Sequence, residues 1–215
     1  TVKPEFNITA GVQVEQTTTS FDIANTTTDY ANNYWSALPF ATIIKKWEND
    51  ITATLSYKRT IQRPGLAHLN PSVDYGDPYN TRFGNPYLQP YFADNFDFIV
   101  GKWNKLYYIN GSVGYNALQN IYSSIRTLQP DGKTNTTWQN LSGRKEYEAN
   151  AWGGYTVNKK LKLNLSLGYS YNVYSLRDRT VNRYRNGGSF FSTLNGSYLF
   201  NTLLNGNASF TFNRF

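Results

Sequence analysis

The chain alternates between hydrophobic and polar residues over long stretches. In LKLNLSLGYSYNV, residues 161–173, leucine, tyrosine and valine occupy every odd position. Lysine, asparagine, serine and glycine occupy the even positions. A period of two is that of a β-strand, whose successive side chains point to opposite faces. The pattern therefore predicts a strand with one apolar face and one polar face.

The same alternation recurs along the chain and predicts about nine strands. Many of these segments exceed the five or six residues usual in soluble sheets and match the roughly ten residues that cross a bilayer obliquely. The segments are FNITAGVQV (6–14), a strand around 35–45, ITATLSYK (51–58), FADNFDFIV (92–100), YYINGSVGYNA (107–117), YEANAWGGYTV (147–157), LKLNLSLGYSYNV, FFSTLNGSYLF (190–200) and LLNGNASFTF (203–212).

The connections between these segments alternate between short and long. The short ones lie near 45–50, 101–105, 157–160 and 200–203, and the long polar ones near 17–34, 61–89, 119–140 and 174–188. Outer-membrane barrels have this arrangement, with short turns in the periplasm and long loops outside the cell. Trp47 and Trp103 lie at the short-turn end, where an aromatic girdle at headgroup level is expected.

These patterns predict an all-β fold, an antiparallel transmembrane β-barrel. The leucine and tyrosine positions would face lipid and the polar positions an aqueous lumen, because a closed barrel satisfies every backbone hydrogen bond in hydrocarbon. Single-chain bacterial barrels have even strand numbers, so we expect an incomplete barrel, about nine strands of a larger one. The alternative is a soluble sandwich or lipocalin-like barrel with the apolar face inward. Strand length and loop segregation favour the membrane barrel.

Composition narrows the possible functions. The 215 residues include no cysteine and one histidine, His68, which excludes disulfides, cysteine-ligated metals and multi-histidine metal sites. The chain has no run of about 18 apolar residues, so no transmembrane helix is predicted. The net charge is +7, but lysine and arginine collect at strand ends and in loops, so nucleic acid is not an expected partner. We expect no cofactor and no catalytic constellation.

One stretch has a recognisable pattern. RTIQRPGLAHLNPSVDYGDPYNTRFGNPYLQP, residues 59–90, resembles the barrel segment of TonB-dependent receptors in the outer-membrane β-barrel group, with its pattern R.IQRP…LNP…Y.DP….GNP.L.P. FNITAGVQVEQ is similar to the aGlR.E strand of that family. The matching residues of the long stretch are Arg59, Ile61, Gln62, Arg63, Pro64, Leu69, Asn70, Pro71, Tyr75, Asp77, Pro78, Gly84, Asn85, Pro86, Leu88 and Pro90.

The resemblance implies a function for the whole protein. Residues 1–215 would be a partial barrel domain in the bacterial outer membrane, without the preceding plug domain and the closing C-terminal strands. The protein would import a bulky nutrient, namely a chelated metal, an oligosaccharide or a peptide. Its partners would be the plug, the TonB energy-coupling complex, outer-membrane lipid or lipopolysaccharide, and a surface lipoprotein. The alternatives are a surface scaffold or adhesin barrel and a soluble β-sandwich binding module.

The stretch 59–90 is interpreted as a folded extracellular loop. Four X-Pro steps between 71 and 90 are expected to prevent strand pairing there, because proline fixes φ and lacks an N–H group. GDP and GNP favour turns. We expect structural roles for the proline, glycine and asparagine residues. Tyr75, Tyr79 and Arg82 are the candidate ligand contacts.

Other polar residues are further candidates for a function. His68 is expected to be solvated or to accept or donate a hydrogen bond. Asp74 with Asp77, or Glu146 with Glu148, could form an acid–base pair. Glu146 and Glu148 are two residues apart and thus share one strand face, where a lumenal role in channel electrostatics or plug contact is the simpler interpretation.

The arginine-rich segment RDRTVNRYRNGG, residues 177–188, permits two interpretations. Its guanidinium groups could bind lipopolysaccharide or an anionic ligand through paired hydrogen bonds, or the segment could be a solvated loop. The residues concerned are Arg177, Arg179, Arg183 and Arg185.

Overall fold

The computed structural model describes residues 5–22, 29–141, 143–175, 183–201 and 204–215. Strands dominate it, and no helix in the described part is long and apolar enough to cross a membrane. The elements are β1 (Glu5–Asp22), β2 (Asp29–Lys46), β3 (Ile51–Gln62), α1 (Leu66–Leu69), β4 (Asn80–Arg82), β5 (Tyr91–Trp103), β6 (Tyr107–Gln119), β7 (Tyr122–Leu128), β8 (Thr134–Asn140), β9 (Arg144–Thr156), β10 (Leu161–Tyr174), β11 (Gly187–Leu199) and β12 (Asn205–Arg214).

Nine of these strands form one antiparallel sheet. Its order is β1-β2-β3-β5-β6-β9-β10-β11-β12, and β4, β7 and β8 do not belong to it. Each of its strands therefore pairs with the sheet strand that follows it along the chain. Those three strands form a second, small sheet. The predicted all-β fold with about nine barrel strands is confirmed.

The pairing register carries the two faces across the whole sheet. One row runs through all nine strands and is apolar until its last member: Ile8, Ile43, Leu55, Phe98, Val113, Ala149, Tyr169, Phe190 and Arg214. The row beside it is on the other face and carries small, polar or acidic residues: Thr9, Thr42, Ser56, Asp97, Gly114, Glu148, Ser170 and Ser189. The local alternation seen in the sequence thus becomes a property of the entire wall.

No second layer of the described chain covers the apolar face. Ile8 and Phe210 are 63% and 67% exposed, although both are large and apolar. The buried aliphatic side chains of the described chain all lie outside the nine-stranded sheet, namely Leu69 in α1 and Leu88 and Leu141 in loops. A soluble sandwich would bury the apolar face against another sheet, and so large an exposed apolar surface marks contact with a membrane or partner.

Aromatic side chains form a band across the apolar face near its long-loop end. The ring centroids of Tyr57 and Phe96 lie 4.7 Å apart, and those of Tyr115 and Tyr147 lie 5.2 Å apart. Along β9, Tyr147 and Tyr155 mark the two ends of the apolar stretch. Eight strand residues span roughly 26 Å, or roughly 20 Å across a bilayer at the tilt usual in barrels. That approaches the height of the lipid-facing band of such barrels.

Two details of the sequence prediction are wrong. The register pairs Trp103 with Tyr108, on the polar face, so Trp103 does not belong to a lipid-facing girdle. The loop predicted over 17–34 is mostly strand, because β1 and β2 pair from Glu5 with Lys46 to Asp22 with Asp29. Polar residues occupy both faces there, so the sequence shows no alternation although the strands continue.

Aromatic side chains on the polar face lie across glycines of neighbouring strands. Phe40 of β2 covers Gly11 of β1, where an added Cβ atom would come within 2.7 Å of the ring. Phe191 covers Gly168 in the same way, and Tyr108 covers Gly154. These rings therefore lie over the neighbouring strand, where glycine leaves the space that they fill.

Candidate functional site

The long connections at one end of the sheet fold into a compact structure, here called the cap. The cap comprises the described residues of 63–90 and 120–143. Its small sheet joins the two segments, because β4 pairs in parallel with β8 and β8 pairs with β7. Strand pairing between the prolines was not expected. β4 has three residues and fits between Pro78 and Pro86, so the prolines shorten this strand and do not prevent it.

Gly84 lies at the closest backbone contact of the cap. The amides of Gly84 and Asn85 donate to the carbonyl oxygens of Asn70 and His68, each at 2.7 Å. A Cβ atom on Gly84 would lie 2.6 Å from the Asn70 carbonyl oxygen and 2.7 Å from that of His68. The GNP segment therefore packs directly on the end of α1, and its glycine has a structural role.

Asn140 ties the two segments of the cap together. Its Oδ1 accepts from the Gln89 amide, and its Nδ2 donates to the carbonyl oxygens of Gln89 and Asn120, all at 2.9 Å. Asn85 Nδ2 donates to the carbonyl oxygen of Trp138 at 2.9 Å. Hydrogen bonds to main-chain groups from both segments make the cap one unit.

A ring cluster fills the inside of the cap. The His68 ring contacts Trp138 at 4.3 Å and Tyr122 at 5.4 Å between centroids, and Tyr91 lies 5.5 Å from Tyr122. His68 Nδ1 accepts from the Gly65 amide at 3.2 Å, so His68 is the hydrogen-bond partner that the sequence allowed. Burial raises the pKa of the Tyr122 hydroxyl. These contacts indicate a packing role for the cluster.

Arg63 attaches the cap to the barrel wall. Its guanidinium group contacts the carboxylate of Glu15, and its Nε donates to the Thr17 hydroxyl at 3.1 Å. Tyr122 donates from its hydroxyl to the Arg63 carbonyl oxygen at 3.1 Å. A cavity of about 220 Å³ remains at this seam, between Arg63 and Tyr34. The cap is thereby fixed over one end of the polar face of β1 and β2.

The structure places the three predicted ligand contacts, Tyr75, Tyr79 and Arg82, within residues 74–82 of the cap. Tyr75 and Tyr79 are 73% and 70% exposed, and Arg82 is also exposed. The main chain of this segment is ordered by a bridge in which the Asp74 amide donates to the Arg82 carbonyl oxygen at 2.8 Å. The three residues thus belong to one surface segment, and their side chains face solvent.

Tyr79 is held by an Asx-Pro-Tyr turn. Asp77 Oδ1 accepts from the Tyr79 amide at 2.8 Å, and Asp77 Oδ2 accepts from Asn80 Nδ2 at 2.8 Å. The Asn80 side chain, followed by the Tyr79 amide, lowers the pKa of the Asp77 carboxyl group. Asp77 therefore orders its own turn. This role differs from the acid–base pairing with Asp74 that the sequence suggested.

The same turn recurs eight residues later and was missed by sequence reasoning. Asn85 Oδ1 accepts from the Tyr87 amide at 3.0 Å, and Tyr87 is 72% exposed. The signal was available, because DPY at 77–79 and NPY at 85–87 repeat one Asx-Pro-Tyr pattern. Both turns present an exposed tyrosine from a fixed main chain.

We expect the order of the Asp77 turn to depend on pH. The ionised Asp77 carboxylate accepts the hydrogen bonds of the turn, which lowers its pKa in the folded state. The carboxylate therefore stabilises the turn at pH values above its unfolded-state pKa. This stabilisation is lost as the pH falls through the folded-state pKa. The chemical shift of the Tyr79 amide proton should move during an acid titration. Asp77→Asn retains the Oδ1 acceptor without the titration and should give a flat curve. A flat curve for the native protein would contradict the assignment.

The polar face below the cap carries an ion pair and further acidic residues. Glu146 and Glu148 both lie on it, as predicted, and Arg144 forms an ion pair with Glu146 at 2.5 Å. Glu148 and Asp97 lie on either side of Gly114 in the register. The described residues contain no group of three or more histidine, cysteine, aspartate and glutamate residues suited to a metal.

The arginine-rich segment is only partly described. Arg183 and Arg185 are exposed. Arg177 and Arg179 lie outside the described residues. Binding of lipopolysaccharide or of an anionic ligand by these arginines stays a prediction.

The all-β wall agrees with a match to a known family. Residues 1–214 match the Outer membrane protein beta-barrel family, which is nearly the whole chain. The chain belongs to this family. No curated protein matches it.

Solved structures share the fold of this β-barrel family member at low sequence identity. The siderophore receptor PirA from Pseudomonas aeruginosa matches with a TM-score of 0.69 and 12% identity, over 98% of this chain and 40% of that chain. The copper transporter OprC matches with a TM-score of 0.64 and 10% identity, over 92% of this chain and 38% of that chain. The chain thus spans about two fifths of either protein, and the likeness concerns the fold.

Family membership and fold together assign the two faces. The protein is an outer-membrane β-barrel protein of bacteria, and the expected localisation is confirmed. The likeness to a siderophore receptor and a copper transporter agrees with the expected segment in its fold. In the membrane, the row containing Leu55 and Phe98 faces lipid, and the row containing Ser56 and Asp97 faces the lumen.

Proposed function

We propose that the complete protein captures a bulky nutrient at the cell surface and imports it through the barrel, driven by the TonB energy-coupling complex. The observation that carries this proposal is a folded cap, attached by Arg63 to Glu15 and Thr17, over one end of a polar lumenal wall. The activity is binding and transport, in keeping with the siderophore receptor and the copper transporter that share the fold.

We propose that the complete protein has further parts besides the segment 1–215. β1 and β12 have a strand on one side only, and an open strand edge in hydrocarbon is unfavourable because its backbone groups lack partners. We propose that further strands complete the barrel and that a plug domain contacts the polar wall. Outer-membrane lipid and lipopolysaccharide would surround the apolar face, and a surface lipoprotein would contact the loop end.

The cap is the proposed capture surface. Tyr75, Tyr79 and Arg82 offer exposed rings and a cation on a main chain that is already ordered by the Asp74 bridge and the Asp77 turn. Ligand contacts from ordered loops lose less conformational entropy on binding than contacts from mobile ones. These three residues are therefore proposed to contact the nutrient first.

A growth and uptake experiment tests the proposed function. The gene for the full-length protein is deleted in its own bacterium, and growth is measured on a limiting iron chelate, oligosaccharide or peptide. We expect the deletion to abolish growth and labelled uptake for one class. The full-length protein should restore both, a variant with residues 66–88 replaced by a flexible linker should not, and a protonophore should stop uptake.

Two results would contradict energy-coupled import. One is parental growth and uptake of all three nutrient classes in the deletion strain, and the other is restored uptake that a protonophore leaves unchanged. Loss of surface attachment together with unchanged uptake would favour the scaffold or adhesin instead. The amount of protein in outer-membrane fractions is the control for expression of each variant.

A further inference from the structure

We infer that the small sheet of the cap contains an oxyanion site, in which Arg82 and Arg126 together bind a carboxylate or phosphate group of the ligand. This inference rests on the proposed function, and it names a chemical group of the captured nutrient that the three nutrient classes do not specify. The site needs Arg126, which was not among the ligand contacts predicted from the sequence.

The strand register places the two arginines in one row on one face of the small sheet. Arg82 of β4 pairs with Thr136 of β8, and Thr136 pairs with Arg126 of β7. Side chains of paired residues project to the same face of a sheet. The Cα atoms of the two arginines are therefore two strand spacings apart, roughly 9–10 Å. Two long side chains at this spacing can converge on one anion above the Thr136 hydroxyl.

This part of the small sheet is open to a ligand on one side and closed by packed rings on the other. Arg82, Arg126 and Ser124 are exposed. Ser124 lies two residues from Arg126 on the same face and pairs with Trp138, which belongs to the ring cluster of the cap. Guanidinium groups donate paired hydrogen bonds that match the oxygens of a carboxylate or phosphate group. The row thus offers two such groups, with the hydroxyls of Thr136 and Ser124 beside them.

The charges of this row have no partner in the described chain. No described side chain forms an ion pair with Arg82 or Arg126. By contrast, Lys133 in the adjoining turn pairs with Asp131 at 3.4 Å. The strands β4, β7 and β8 contain no aspartate or glutamate. Two like charges on one face repel each other, so an anion bound between them stabilises the row.

Two carboxylates near Arg82 are used by their own turns. Asp74 pairs with Arg82 on the side away from Arg126, and its Oδ1 accepts from the Gly76 amide at 2.9 Å. Asp77 accepts the hydrogen bonds of the Asx-Pro-Tyr turn. Neither carboxylate reaches the Arg82 guanidinium group within ion-pair distance, so Arg82 keeps its donors for a ligand.

A free strand edge beside the row makes an acidic peptide the alternative ligand. β7 pairs with β8 on one side only. Ile121 and Gln129 form main-chain hydrogen bonds on the β8 side, and such bonds alternate along an antiparallel strand, so the amides of Ser124 and Arg126 point to the free edge. β7 has only seven residues and carries a charge near its centre. Short, charged edge strands resist the addition of another strand, so the oxyanion is favoured.

Titration calorimetry of the purified full-length protein in detergent tests the inference. The probes are citrate and inorganic phosphate, with glucose as the uncharged comparison. Arg82→Ala and Arg126→Ala should each weaken binding of the better anion about tenfold or more, because each removes a charged hydrogen-bond donor. Lysine at either position should restore only part of the affinity, since it lacks the guanidinium fork. Thr136→Val should weaken binding by about threefold.

A matched variant controls for net charge. Lys105→Ala removes one exposed positive charge in the short turn between β5 and β6, away from the cap, and should leave anion binding unchanged. Heat-modifiable migration on gels reports a folded barrel for each variant. The inference would be overturned if neither anion binds, if binding survives both arginine substitutions, or if Lys105→Ala weakens it equally.

Two further probes separate the other possible occupants of the site. Binding of a glutamate-rich peptide but not of its N-methylated form, with no binding of citrate or phosphate, would assign the free edge of β7 to strand addition and overturn the inference. Displacement of bound citrate by lipopolysaccharide would assign the arginines to a lipid headgroup, with the same consequence.

The outcome for the proposed function is separate. If no anion binds while uptake of an uncharged nutrient depends on the protein, the inference is wrong and the proposed function stands. Anion binding at the two arginines without import of any nutrient would overturn the proposed function alone.

Discussion

Leu167→Arg is expected to destabilise the barrel by about 2–4 kcal/mol, the usual cost of an arginine on the lipid face near the bilayer midplane. Leu167 lies on the apolar face, opposite Ala151 and Ser192. It is halfway between Leu163, which pairs with Tyr155, and Tyr171, which pairs with Tyr147. An arginine at this depth is far from both interfaces and leaves its charge in hydrocarbon.

Ser166→Arg is the matched control, because the residue is adjacent but on the lumenal face, opposite Trp152 and Thr193. Water in the lumen can solvate the charge, so the expected cost is within about 1 kcal/mol. The free energy of unfolding would be measured in urea, for the full-length protein refolded into lipid vesicles. If Ser166→Arg costs as much as Leu167→Arg or more, the assignment of the two faces is wrong.

Gly84→Ala is expected to disrupt the cap at a cost of about 1–3 kcal/mol, as in other overpacked sites. The added Cβ atom would meet main-chain atoms of Asn70 and His68 at 2.6 to 2.7 Å, and main chain cannot move aside as a flexible side chain can. The hydrogen bonds from Gly84 and Asn85 to these residues would break together. Hydrogen exchange of the peptide covering 63–90 should therefore increase, while the nine-stranded sheet stays protected.

Gly65→Ala is the control within the same segment. Its added Cβ atom would meet only His68 Nδ1, at an ordinary contact distance of 3.8 Å. Hydrogen exchange in the cap should stay at the native level. Native exchange in Gly84→Ala would show that the GNP segment does not depend on this close approach, and the structural role given to Gly84 would be wrong.

The strands of the barrel wall were predictable because their signal is local. Within the membrane, each strand must present apolar groups to lipid and polar groups to water, so a period of two is imposed on every crossing strand. The signal stops where both faces meet water. The outer halves of β1 and β2, with Thr17, Thr19, Asn32 and Asn33, continue as strands although the sequence predicted a loop.

The cap was predictable only as a loop rich in turns. Asn70, Gly84 and Asn85 belong to a recognisable motif, and their structural role was anticipated. The pairing of β4 with β8 was not, because it joins Thr81 to Asn135, 54 residues apart, and no periodicity in either segment signals it. Tyr79 was among the predicted ligand contacts, whereas Tyr87 was not, although both end the same Asx-Pro-Tyr pattern.

The sequence by itself determined the two faces of the wall and the number of its strands, because both follow from side chains a few residues apart. The tertiary structure alone decided that the long connections fold together, that Arg63 binds them to Glu15, and that two tyrosines stand on fixed turns. Those features depend on which distant segments meet, and distance in space is not written in any local pattern.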